Sequence, residues 1–491
     1  MSFLRSRRHS SRFKWWVLSC TSLGMLLATV NSGTLIIALP NLERSLHTTL
    51  LQLVWVMLVY MIASTVLLLT AGRFSDLFGR KNAYVLGFLL FSAASFGAGF
   101  ADSGTVLILW RVVQGVGGAF LFANAGALVT DAFPRQELGL AMGTNVMVGA
   151  VGLVVGPVLG GALVAIAWPW VFWFNVPFGL LGSAWAYLVL HEMSGRDSAE
   201  RSLDLPGTAV FVVGLTGLVL GLSKGGLTGW SGPVVIACLA AAAVLLPLFV
   251  LLESRSDSPM LDLTLFEDRL FSAAAAAAFL NGLARFALMF LFVFYFQGPQ
   301  GQSPLMAGLE LAPLALGMLV ASPIAGAIAD RRGSRGLAAM GMVVTAAGLA
   351  GMTMLQAHTA YSWSALWLAL VGIGSGMFNS PNTAAMMGVV PVHRRGIASG
   401  ARMMLTNTGA VISIAFVLAV VTAAVPKNVL FRIFSGLASG LSVRQLDPFI
   451  ANMHLALWVL AAVSLLGAGV SLLRPSHKVV SSRVLAVEET A

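Results

Sequence analysis

The stretch GRFSDLFGRK (72–81) returns as GAIADRRGSR (326–335), pairing Gly72 with Gly326, Asp76 with Asp330 and Gly79 with Gly333 at an offset of 254. A second match follows: PRQELGLAMG (134–143) and PVHRRGIASG (391–400) align at an offset of 257, which also sets Gly115 and Gly117 against Gly372 and Gly374. Each polar segment stands between apolar runs of about 20 residues, the length a helix needs to cross roughly 30 Å of hydrocarbon. The chain therefore reads as two homologous halves built of membrane-crossing helices.

Composition agrees. Of 491 residues, 58% are hydrophobic and 10% charged, whereas soluble proteins carry about a quarter charged residues. No stretch alternates in the manner of a membrane barrel, so helices are expected throughout. Fourteen apolar runs can be marked, from 15–39 to 450–473. The expected fold is all-α and integral to the membrane, with two six-helix bundles and two inserted transmembrane helices. The N-terminal bundle is expected over 1–191, a linker with the two extra helices over 192–262, and the C-terminal bundle with its tail over 263–491. Repeated halves of this kind are a transporter architecture, with the substrate path near the midplane between them.

Basic residues set the orientation. With the N-terminus inside, cytoplasmic segments hold about 21 of the 29 Lys and Arg and outer loops about five, while Arg111, Arg285 and Arg402 fall inside spans. Both termini are thus expected in the cytoplasm, and the cell membrane is the expected site. The same asymmetry accounts for the net charge of +10 without a nucleic-acid partner. The basic N-terminus and its apolar run are read as an uncleaved first span, since the run exceeds a signal-peptide core and no A-x-A-like site follows. Cys20 and Cys238 lie in apolar runs, which argues against a disulfide or a cysteine metal site.

The loop GRFSDLFGRK resembles the motif between the second and third helices of the major facilitator superfamily. RVVQGVGG (111–118) resembles its fourth-helix motif, GLVVGPVLGG (152–161) the fifth-helix motif of its antiporters, and TLIIALP (34–40) the end of its first-helix motif. With fourteen spans, the chain resembles the drug:proton antiporter group of multidrug efflux type. The resemblance implies that Asp76, Arg80 and Asp131 form a charge cluster locking the cytoplasmic side closed. Gly72 and Gly79 would turn the loop, and Asp330 and Arg335 would form a weaker second copy. It also implies that Arg111 responds to protonation of a nearby acid; the alternative for a cation six residues into a span is snorkelling to the interface. In the fifth-helix motif, Gly152, Gly156, Gly160 and Gly161 allow close helix approach and Pro157 bends the helix, which suits a gate. GVGGAF and GIGSGM lie in apolar spans, and no Gly-Lys-Ser/Thr phosphate loop occurs. An ion gradient rather than ATP is expected to drive transport.

One departure matters. The family's first-helix motif carries an Asp nine residues before the Pro of ALP, and here that position is Asn31. Asparagine hydrogen-bonds but carries no proton, so Asn31, Thr34 and Gln114 become candidates for a polar cavity lining. Another acid must carry the proton if one is carried. Glu310 is the carboxylate set well inside a span, and Arg285 lies in the span before it. At 1.5 Å per residue their depths differ by roughly 8 Å, within reach of an arginine side chain. The pair either opens on protonation or is a structural ion pair, unless Glu310 simply reaches interfacial water. Proton-coupling candidates are therefore Glu310, Arg111 and Arg285. His454 and the Phe- and Met-rich stretches read mainly as packing. The expected function is export of amphipathic or lipophilic small molecules by alternating access in exchange for protons. The alternative is a narrow exporter of a metabolite or lipid without proton coupling, which Asn31 favours. No enzyme activity, metal or cofactor is expected, and the working unit is expected to be a monomer in the lipid bilayer.

Overall fold

The computed structural model describes residues 12–133, 137–191, 204–256, 259, 261–357, 359–390, 394–423, 425–434 and 441–475. These residues form α-helices, a short 3-10 helix at Leu263–Glu267 and turns, with no strand among them. The chain divides into two compact units, Met1–Thr208 with Ser256–Met260, and Ala209–Arg255 with Leu261–Ala491.

The first unit runs through α1 (Phe13–Leu46), α2 (Leu50–Phe78), α3 (Arg80–Ala98), α4 (Gly104–Ala132), α5 (Leu138–Ile166), the short α6 (Trp170–Trp173) and α7 (Asn175–Val189). Helix α8 (Leu205–Thr228) begins in the first unit and continues in the second, which also holds α9 (Pro233–Arg255). There follow α10 (Arg269–Gln297), α11 (Pro304–Glu310), α12 (Ala312–Arg332), α13 (Ser334–Met352), α14 (Tyr361–Val389), α15 (Arg395–Thr422), α16 (Lys427–Phe434) and α17 (Val443–Leu472).

The repeat seen in the sequence reappears in the helix boundaries. Leu50 and Pro304 open α2 and α11 at the offset of 254, Arg80 and Ser334 open α3 and α13 at the same offset, and Gly104 and Tyr361 open α4 and α14 at 257. Packing repeats as well. In the first unit α1 lies on α4, α5 and α7, α2 lies on α4, and α3 lies on α4 and α7. In the second unit α10 lies on α14, α15 and α17, α12 lies on α14, and α13 lies on α14 and α17.

The paired glycines explain the turns. Gly79 has φ 99° and donates its N–H to Ser75 O at 2.9 Å; Gly333 has φ 85° and donates to Ala329 O at 2.8 Å. A residue with a Cβ is strained in this left-handed backbone, and glycine is not. Gly72, by contrast, has room: a Cβ there would meet nothing closer than Ala123 Cβ at 3.9 Å. The halves differ at one place. Helix α2 is unbroken, whereas its counterpart stops at Glu310, turns at Leu311 and restarts as α12 with proline in its first turn, where a missing N–H costs nothing.

Among the described residues, twelve helical stretches are long and apolar enough to cross a membrane, against the fourteen expected. The remaining two expected spans coincide with α3 and α5, which are helical but fall outside the twelve. Helix α3 opens on Arg80, Lys81 and Asn82, which lowers its hydropathy, and the described apolar part of α5 is only Val155–Ile166. The exposed faces are apolar, as in Leu180, Leu181, Val244 and Leu466. Lipid rather than water is their natural solvent. This is a multi-pass membrane protein.

Candidate functional site

A buried polar chain crosses the first unit. Arg111 of α4 donates from Nε to Val56 O of α2 at 2.9 Å and from a terminal nitrogen to Gln114 Oε1. Gln114 Nε2 donates to Asn31 Oδ1 of α1 at 3.2 Å and to Ser95 Oγ of α3 at 2.7 Å. Asn175 Nδ2 of α7 reaches the same Asn31 oxygen at 3.4 Å. The Arg111 guanidinium also lies 4.3 Å from the centre of the Tyr60 ring, a favourable cation–π placement. Arg111, Gln114, Asn31 and Asn175 are all fully buried.

The chain ties five helices together and contains no carboxylate. A buried guanidinium is tolerated only where its N–H groups find acceptors, and every acceptor here is neutral. Arg111 does not snorkel. Asn31, Thr34 and Gln114 all lie sealed inside the unit, with Thr34 donating to Asn31 O at 3.1 Å. Ser95, Asn175 and Tyr60 were not singled out from the sequence. Asn175, a polar residue within an apolar run, was the available signal.

Helix α5 presses its small residues onto α1. A Cβ on Gly156 would fall 2.9 Å from Gly33 Cα and 3.0 Å from Val30 O, and one on Gly160 would fall 2.6 Å from the Thr34 backbone. Gly152 faces Thr29 and Val30 in the same way. Pro157 and Gly161 are buried on the same helix. The two helices are in backbone contact directly beside Asn31, so a movement of α5 against α1 acts on the polar chain.

The loop motif is partly in view. Arg80 pairs with Asp131, at the N-terminus of α3 and near the C-terminus of α4. The side chains of Asp76 and Asp330 lie outside the described residues. Arg335 is exposed, with no ion-pair partner among the described residues. Two further ion pairs were not foreseen. Lys14, in the first turn of α1, pairs with Glu137, the residue before α5. Arg394, the residue before α15, pairs with Asp262, in the segment leading to α10. Glu137 and Arg394 are equivalent at the offset of 257, so the same junction is clasped in both halves with the charges exchanged.

In the second unit Glu310 ends α11 and is 7% exposed, and the Tyr361 hydroxyl donates to its backbone carbonyl at 3.4 Å. Arg285 of α10 is 9% exposed, lies 4.4 Å from the ring centre of its neighbour Phe286, and leaves Nε without a partner. The expected Glu310–Arg285 ion pair does not form: the guanidinium is taken up by the Phe286 ring instead. Asn281, one turn before Arg285, is 1% exposed and neither polar atom of its side chain has a partner. Arg474, just beyond the end of α17, is buried and donates to Asn382 Oδ1 and to Ser471 Oγ. Phe290, Phe292, Phe294, Tyr295 and Phe296 are core residues, and His454 is satisfied by Leu355 O at 2.7 Å. Among the described residues no cluster of His, Cys, Asp and Glu suits a metal.

Comparison with known proteins completes the picture. The family model described as Major Facilitator Superfamily matches residues 21–414 and 274–490. The chain is 31% identical over 396 residues to the tetracenomycin C resistance and export protein of Streptomyces glaucescens, covering 80% of this chain and 73% of that one. It is 28% identical over 404 residues to the riboflavin transporter RibZ of Clostridioides difficile, covering 82% and 87%. The structure of a bacterial homologue of the human lysosomal transporter Spinster, inward-facing and unoccupied, matches with a TM-score of 0.64 at 15% identity, covering 95% of this chain and all of that one.

Proposed function

The chain belongs to the Major Facilitator Superfamily, and from that premise we propose that this secondary transporter exports amphipathic small molecules across the cell membrane by alternating access, in exchange for protons. In this reading both termini are cytoplasmic, α3 and α5 complete fourteen spans, and α8 and α9 are the pair inserted between the halves. It places the protein in the drug:proton antiporter group, working as a monomer without ATP or cofactor. The Arg80–Asp131 pair, with Asp76, is the cytoplasmic latch, and the close α1–α5 contact is the gate.

The observation that carries the proposal is the buried Arg111–Gln114–Asn31–Asn175 chain. It joins the helix that packs on α5 to the others and holds a cation with neutral acceptors only. A charge held so is sensitive to any new charge brought near it. Because the chain has no acid, the proton falls to Glu310, the carboxylate at the α11–α12 break. Asn31 and the riboflavin transporter among the relatives favour a second reading, a narrow metabolite exporter that does not use protons.

Inside-out vesicles separate the two. Uptake of ethidium and of 1-naphthoate is followed under an imposed pH gradient, before and after nigericin. Antiport predicts uptake of at least one probe that collapses with the gradient. Uptake unaffected by nigericin sinks the proton reading and leaves the second one.

A further inference from the structure

We propose that Asn281 and Arg285 of α10 form a binding site for the anionic group of an aromatic substrate. The inference rests on the export reading above and names its substrate class.

Three observations support it. First, Arg285 is a buried cation with no counter-ion among the described residues: Glu310 does not pair with it, and its Nε has no partner. Second, Asn281 stands one helical turn away on the same face, and both its Nδ2 and its Oδ1 are unpartnered. Other buried asparagines keep at least one bond: Asn31 and Asn175 bond to one another, Asn145 to Thr21, and Asn382 to Ala274 O. Buried polar groups that fold without partners are uncommon, and each calls for an explanation. A ligand that supplies the partners is one. Third, the surroundings are aromatic and apolar. The guanidinium lies over Phe286, and the stripe 281, 285, 288, 292 continues through the buried Leu288 and Phe292.

The chemistry of the donors selects the ligand. A guanidinium offers a planar fork that matches a carboxylate. Asn281 Nδ2 adds a third donor, and its Oδ1 accepts from a neighbouring hydroxyl on the ligand. The ligand's negative charge balances the buried arginine, and its ring continues the apolar stripe. A lipophilic cation would meet like charge at the same place and be disfavoured.

The test uses the purified full chain in a neutral detergent, with 1-naphthoate and its near-isosteric cation 1-naphthylmethylammonium as probes in equilibrium dialysis. Wild type should bind the anion more tightly. Arg285→Gln should weaken anion binding by about 10- to 100-fold, the range that a charged hydrogen bond spans, while Arg285→Lys keeps part of it. Asn281→Ala should weaken it by a smaller factor. Unaltered thermal unfolding profiles show that each variant is folded. Equal affinity of wild type for both probes, or an Arg285→Gln variant with wild-type anion affinity, overturns the site. Vesicle uptake then separates this inference from the export reading. Selective anion binding that depends on Arg285, without uptake of either probe by wild-type vesicles, keeps the site and sinks the export reading.

Discussion

Asn31 accepts hydrogen bonds from Gln114 and Asn175 with one oxygen and so takes part in a chain that a carboxylate would electrify. Its role was half legible in the sequence. The loss of the motif's acid could be read directly, and so could Gln114, three residues beyond Arg111. Ser95 could not, and Asn175 showed only as a polar residue within an apolar run, because their importance comes from the meeting of α3 and α7 with α4 and α1, which no local pattern encodes. The glycines of the loop motif give the clearest test at this scale. Gly79 sits at φ 99° and Gly72 has open space. Gly79→Ala should cost about 1 kcal/mol, the penalty for a Cβ in left-handed backbone, and lower the thermal unfolding midpoint of the purified protein. Gly72→Ala should leave that midpoint within error, and equal effects of the two would contradict the account.

Among elements, the repeat was the most legible feature, since its offsets of 254 and 257 reappear in helix starts and in packing partners. What the offsets could not reveal is where the halves diverge in partner choice. The equivalence of Arg394 to Glu137 was present in the sequence, but its partner Asp262, which caps a short 3-10 helix, lies outside any repeated motif. The exchanged polarity of the two clasps makes a specific prediction. Glu137→Lys should place two cations together at the α1–α5 junction and lower stability by up to about 1 kcal/mol, as expected of a partly exposed pair. Adding Lys14→Glu should restore it. The loss should shrink in high salt, and a double variant no better than the single one would show that the pair contributes nothing. The break at Glu310 is the other divergence. Its counterpart at the offset of 254 is Val56, whose carbonyl accepts from Arg111, while Arg111 itself is matched by Leu368. At these equivalent positions, then, the cation Arg111 stands in the first half and the carboxylate Glu310 in the second.

At the scale of the molecule, length and hydropathy made the membrane class plain, and twelve of the fourteen expected spans stand on those grounds alone. The other two coincide with helices α3 and α5, which open on polar residues or have shorter apolar stretches. The Glu310–Arg285 pair was misjudged because helix depth fixes only the distance along the axis. It does not show that Phe286 takes the guanidinium. On the proposed function, the protein lacks the first-helix acid and moves its proton through Glu310. The most direct test is the initial rate of probe uptake by inside-out vesicles under an imposed pH gradient, compared between wild type and Glu310→Gln, with substrate exchange at equal pH as the control. The variant should lose gradient-driven uptake and keep exchange. Full gradient-driven uptake by Glu310→Gln would contradict it.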